Sequence, residues 1–103
     1  YEVDVDYNYI PDNFILHQNY PNPFNPVTNI DFDIQNEGFV TLKIINLLGN
    51  EVKTLVSEIK SSGYYSVQWN GKNDFGVLVP SGIYIYQLNS SEGSLNKKMI
   101  LMK

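Results

Sequence analysis

Few residues in the sequence are of a type that does chemistry. His17 is the only histidine. A nucleophilic triad would need an activated serine and an orienting carboxylate beside it, and no Gly-x-Ser-x-Gly elbow occurs. His17 therefore reads as a surface or loop-packing residue. Asp31 and Asp33 stand at i and i+2, so on a strand they share a face. A carboxylate pair that cleaves a glycosidic bond must flank a substrate in a cleft. Two acids on one strand face are more simply its solvated side. Asn70, Asn73 and Asp74 offer oxygen ligands of the kind Ca²⁺ takes. They lack EF-hand spacing and include one carboxylate, so turn chemistry is the simpler reading. Asn89-Ser90-Ser91 matches the short N-glycosylation sequon, which has meaning only in a secreted eukaryotic protein. Lys97, Lys98 and Lys103 make a basic cluster around an apolar tail. They fit either an edge strand guarded by lysine or a recognition element.

Composition narrows the classes further. The sequence of 103 residues has no Cys, no Arg and no Ala. Without Cys there is no disulfide, no thiolate nucleophile and no Cys-ligated metal site. Without Arg, bidentate recognition of phosphate or guanine edges is not expected. Without Ala the best helix former is missing, whereas Val, Ile, Tyr and Phe supply 32 residues. The net charge of −4 is uneven. Residues 1–42 hold seven acids and no Lys, and residues 43–103 hold seven Lys and four acids. That density is below a nucleic-acid-binding patch. No apolar run approaches the roughly 20 residues of a membrane span. No signal peptide is evident, and Tyr1-Glu2-Val3 reads as mid-protein, so the chain is expected to be a fragment of a longer one.

The elements that would position these residues are strands. Residues 1–13 read as a linker from an upstream module, although the alternation of acid and apolar residues over 1–12 also suits a strand. A short edge strand is expected near residues 13–17. Asn19, Tyr20, Pro21, Asn22, Pro23, Phe24, Asn25 and Pro26 follow. Each proline lacks an amide donor and pushes its predecessor towards extended geometry. The stretch is expected to be a stiff loop whose Tyr20 and Phe24 fold back over the core. Residues 28–34 alternate, with Ile30, Phe32 and Ile34 inward and Asp31 and Asp33 outward. Further strands are expected over 39–47, around 52–56, over 64–70 (Tyr65, Val67 and Trp69 inward), over 83–88 and over 98–102. The run from Ile83 to Leu88 is apolar on both faces. It suits a central strand buried on both sides, or one whose edge the Pro-rich loop covers. Separations of roughly 8–12 residues and the lack of a 3.6-residue period predict an all-β fold. Its class is an immunoglobulin-like antiparallel β-sandwich of about seven strands, with no cofactor.

A resemblance adds a function to this reading. The string Leu16-His-Gln-Asn-Tyr-Pro-Asn-Pro-Phe-Asn-Pro-Val-Thr-Asn-Ile30 resembles the opening motif of the type A C-terminal sorting domain of type IX secretion, found in Bacteroidetes. Val40 to Val52, with Gly49, resembles the second block. Gly63-Tyr-Tyr-Ser-Val-Gln-Trp69-Asn-Gly71, followed by Asp74-Phe-Gly76, resembles the third. Ser81-Gly82-Ile-Tyr84-Ile-Tyr86-Gln-Leu88 resembles the fourth. Lys97 to Lys103 is similar to the terminal Lys-rich strand. The later blocks are also similar to the immunoglobulin-like domain of flagellar hook-capping proteins. The match covers residues 14–103.

The resemblance implies a substrate rather than an enzyme. Such domains direct an upstream cargo through the translocon across the outer membrane, from periplasm to cell surface or medium. A surface sortase then removes them, here in or before residues 1–16. The expected partners are the translocon, the sortase and the cargo domain, with no nucleic acid and no small-molecule substrate. Lys97, Lys98 and Lys103 are the expected translocon contacts, because a signal must lie at an accessible edge. Gly63 and Gly82 are expected to serve backbone geometry. The alternative is a glycan-binding or adhesive module of a secreted hydrolase, using Tyr64, Tyr84 or Tyr86 on an exposed sheet face. A structural spacer that self-associates is a third reading.

Overall fold

The computed structural model describes residues 11–103, and most of the expected linker at residues 1–13 lies outside them. Seven strands form: β1 (Ile15–Leu16), β2 (Thr28–Ile34), β3 (Gly38–Asn46), β4 (Glu51–Lys60), β5 (Gly63–Trp69), β6 (Gly82–Ser90) and β7 (Gly93–Leu101). They make two antiparallel sheets, β1-β2-β5 and β4-β3-β6-β7. This is the expected immunoglobulin-like sandwich. Alternation builds its core: Ile30, Phe32 and Ile34 from one sheet face Val40, Leu42, Ile44, Tyr84, Tyr86 and Leu88 from the other, all buried. Each such side chain contributes about 1.5–3 kcal/mol by leaving water.

Three expectations are corrected. The apolar run in β6 is covered on one face only, and Ile83 on the other face is 43% exposed. β6 is central because it lies between β3 and β7, and the Pro-rich loop covers β7 instead. Strand β7 begins at Gly93, five residues before Lys98. Its first half is polar, so pairing with β6 overrides weak local propensity there. Asp33 points outward as expected but is only 8% exposed, because His17 lies against it.

Loops cap part of each edge of the four-stranded sheet, Val52 to Thr54 on β4 and Lys98 onward on β7. On β4, the Asp74 amide donates to the Val52 carbonyl at 3.0 Å, and Asp74 Oδ1 accepts from the Thr54 amide at 3.1 Å. Two register shifts between β3 and β4 also bend that edge. On β7 the cap is the Pro-rich loop. Such covering is how sandwiches keep edges from pairing with other chains.

Candidate functional site

The Pro-rich loop and the terminal strand are built as one unit. Phe24 is 2% exposed and lies 5.6 Å from the Trp69 ring. Its main chain runs parallel to β7. The Phe24 amide donates to the Ile100 carbonyl at 2.9 Å, and the Met102 amide donates to the Phe24 carbonyl at 2.9 Å. Asn22 Oδ1 accepts from the Ile100 amide at 2.9 Å, and Gln18 Nε2 donates to the Lys98 carbonyl at 2.9 Å. The proline-driven extended geometry makes this clamp possible, since Pro21, Pro23 and Pro26 are themselves exposed and withhold no needed donor. All three are preceded by cis peptide bonds.

Asn19 is the hub under the loop. It is 3% exposed, so each of its polar groups needs a partner. Its amide donates to the Tyr86 hydroxyl at 2.8 Å, and that hydroxyl donates to the His17 carbonyl at 2.7 Å. Asn19 Nδ2 donates to Thr28 Oγ1 at 2.9 Å and to the Pro21 carbonyl at 3.2 Å. Burial pushes the Tyr86 phenol up to about 12, with the Asn19 amide opposing in part. Tyr84 is raised by burial as well. Its hydroxyl donates to the Pro80 carbonyl at 2.7 Å, and its ring meets Trp69 edge-on at 5.5 Å.

Tyr20 departs from its expected place over the core. It is 51% exposed, and its hydroxyl donates to Asp31 Oδ2 at 3.0 Å on the outer face of the three-stranded sheet. That carboxylate, by its hydrogen bond first and then with burial and its charge, raises the phenol. A cleft of about 490 Å³ lies there, lined by His17, Gln18, Tyr20, Asp31, Asp33, Tyr64, Tyr65 and Ser66. His17 Nε2 and Asp33 Oδ1 are 3.0 Å apart. Nothing local in the sequence joins His17, the aspartates and Tyr64. The register that brings them together, Asp33 opposite Tyr64 and Asp31 opposite Ser66, is a tertiary fact.

The remaining expected residues are dispersed. Lys97 and Lys98 point to opposite faces of β7: Lys97 shares a face with Leu95 and Met99, whereas Lys98 is exposed. Lys103 lies beyond the strand, its amide donating to Ser81 Oγ at 3.0 Å. The β7 edge itself is occupied by the loop from Lys98 to Met102, so it is not the open edge expected. Asn70, Asn73 and Asp74 accept main-chain amides: Asn70 from Lys72, Asn73 from Phe75 and Val77, Asp74 from Thr54. That is turn chemistry. Gly49, Gly71 and Gly76 take positive φ of 89°, 76° and 78° in turns. Gly63 does not, and its expected backbone role is not seen; an added Cβ there would meet the Tyr65 ring at an ordinary 3.7 Å. Tyr84 and Tyr86 are core residues, 6% and 0% exposed, so of the three tyrosines considered for glycans only Tyr64 is on the surface.

Residues 25–94 match the model of the FlgD Ig-like domain. The chain belongs to the FlgD Ig-like domain family. The family's sandwich recurs in solved structures. Dimeric latent PorU from Porphyromonas gingivalis is similar over 86% of this chain and 9% of its own, with 22% identity and a TM-score of 0.66. PorZ, an essential bacterial surface component of the type-IX secretion system of the same organism, is similar over 89% and 12%, with 21% identity and a TM-score of 0.57. Truncated FlgD from Helicobacter pylori strain 26695 is similar over 81% and 63%, with 22% identity and a TM-score of 0.56. This FlgD-type domain thus spans a small part of PorU and PorZ and just under two thirds of that FlgD. Among curated proteins there is no sequence match.

Proposed function

We propose that this FlgD-type domain is a non-catalytic secretion signal, carried by a longer cargo and read by type IX machinery on the way from periplasm to cell surface. The observation that carries the reading is the clamp. The string with the most specific resemblance, residues 16–30, is the segment that holds the terminal strand in place through Gln18, Asn22 and Phe24. A motif whose residues fix a neighbouring element is suited to presenting that element. The likeness to PorU and PorZ, the latter described as a component of the type-IX system, supports the same direction. In this role Lys98 and Lys103 offer exposed positive charge beside the clamp, and Lys97 lies on the face turned towards β1.

The test is export of a reporter. Residues 1–103 are fused behind a periplasmic fluorescent protein in a type IX host. The intact fusion should reach the medium or the cell surface. A fusion with Lys97, Lys98 and Lys103 changed to Gln keeps the core and should be retained in the periplasm. Retention of the intact fusion would overturn the sorting role, and export of the triple Gln fusion would remove the lysines from it.

A further inference from the structure

Two turns at one end of the sandwich are built alike. In residues 46–50, Asn46 Oδ1 accepts from the Leu48 and Asn50 amides at 3.0 Å each, and the Gly49 amide donates to the Asn46 carbonyl. In residues 73–77, Asn73 Oδ1 accepts from the Phe75 and Val77 amides at 2.9 and 3.0 Å, and the Gly76 amide donates to the Asn73 carbonyl. Each turn needs its asparagine as acceptor and its glycine at positive φ. Nothing in that chemistry requires an apolar residue between the two. Yet Leu48 is 86% and Phe75 is 89% exposed, the two most exposed large hydrophobic side chains among the described residues. Leu47, Val77 and Leu78 beside them are each more than half exposed. Apolar surface gathered in this way marks an interaction site.

The two apices are tied to each other. The Asp74 amide and carboxylate bond Val52 and Thr54, which fastens the second turn to the strand that leaves the first. Such preorganisation lowers the ordering cost of binding. Because the apex amides are already bonded, the tips can leave water without stranding those donors. Charge also differs between the two ends of the sandwich. Near the apices, Lys43, Lys53 and Lys72 outnumber Glu51, which pairs with Lys43, and Asp74, which lies 3.8 Å from Lys53. Lys72 is exposed, stands opposite Leu78 in the loop, and makes no ion pair among the described residues. At the far end Glu37, Glu58 and Glu92 outnumber Lys60.

We propose that these two turns insert into the surface of a bilayer with anionic headgroups, with Leu48 and Phe75 as apolar anchors and Lys72 against the headgroups. A protein partner would need a fitted pocket for each tip. A bilayer takes two apolar tips without shape complementarity. Apolar burial and the negative surface potential act together on tips flanked by lysine. None of these residues belongs to the Pro-rich clamp, so the inference stands apart from the sorting role.

The test is co-sedimentation of the 103-residue chain with sucrose-loaded vesicles of phosphatidylcholine, either alone or with about one third phosphatidylglycerol. The chain should pellet with the anionic vesicles and bind the neutral ones at least tenfold more weakly. Leu48→Ser and Phe75→Ser should each weaken anionic binding about tenfold, since each removes the transfer of one large apolar side chain. Lys72→Gln should weaken it about fivefold. Ile59→Ser removes a comparably exposed apolar side chain at the far end and should bind as the wild type does. Phe75→Trp places a fluorophore at the tip, and its emission should shift to the blue on anionic vesicles. No pelleting, equal binding to neutral vesicles, undiminished binding by Leu48→Ser or Phe75→Ser, or an equal loss in Ile59→Ser would each overturn the proposal. So would concentration-dependent dimers that Leu48→Ser dissociates, because the tips would then be covered by a second copy.

Discussion

Replacing Tyr86 with Phe isolates the bond network under the Pro-rich loop. The ring is fully buried and would stay in place, so the change removes one hydroxyl and little volume. That hydroxyl accepts from the Asn19 amide and donates to the His17 carbonyl, partners 67 and 69 residues away. Leaving a buried donor or acceptor unmet costs about 1–3 kcal/mol each. The His17 side recovers part of this, since His17 is exposed and water can reach its carbonyl. A loss of about 2–3 kcal/mol follows, and for a domain this size that lowers Tm by roughly 10–20 °C. The pH dependence provides a second handle. Burial holds the Tyr86 phenol at about 12, above its unfolded value of 10.0. A raised pKa gives stability that is complete below pH 10 and is lost as pH climbs through 12. Lysines and other tyrosines titrate in both proteins, but only the wild type has this phenol. The gap between wild type and Tyr86→Phe should therefore be widest at neutral pH and narrow between pH 10 and 12. Urea unfolding followed by Trp69 fluorescence measures it across that range. Equal stability at pH 7, or a gap that stays constant to pH 12, would refute the account of Asn19 and Tyr86 as a buried hub.

Two further perturbations test the clamp and its surroundings. Phe24→Ala should cost about 3–5 kcal/mol by emptying the space beside Trp69. In the folded fraction, hydrogen exchange should show the Ile100 and Met102 amides losing protection before those of β3. If they keep core-like protection, the loop does not hold the edge. Gly71→Ala should cost more than Gly49→Ala although both have positive φ, because a Cβ at Gly71 meets the Pro26 carbonyl at 3.3 Å and one at Gly49 meets nothing. The left-handed backbone alone accounts for about 1–2 kcal/mol in each. Equal melting temperatures for the two variants would mean that Gly71 does not pack against the loop.

The strands were legible wherever residues alternated cleanly. Ile30, Phe32 and Ile34 faced inward as their spacing required, and so did Tyr65, Val67 and Trp69 more weakly. Alternation failed where both faces were apolar. In Ile83 to Leu88 nothing local says which set is inside, so Tyr84 and Tyr86 could be read as surface aromatics when they are core. Phe24 is the core pin that the loop's composition suggests, but Tyr20, four residues earlier, lies on the surface. A turn-rich loop has no periodicity to fix side-chain direction, and Tyr20 goes where the Asp31 carboxylate accepts its hydroxyl. Asn19 gave no signal as a hub, because its partners Thr28 and Tyr86 are known only once the register is. The cleft was out of reach for the same reason.

The distribution of edge protection bears on the role proposed for the lysines. A lysine on an edge strand is usually explained as a guard against pairing. On β7 that explanation is weak from Lys98 onward, because Gln18, Asn22 and Phe24 already occupy the outward groups there. Charge at Lys98 and Lys103 is then surplus to edge protection, which makes a recognition role the more economical account of it.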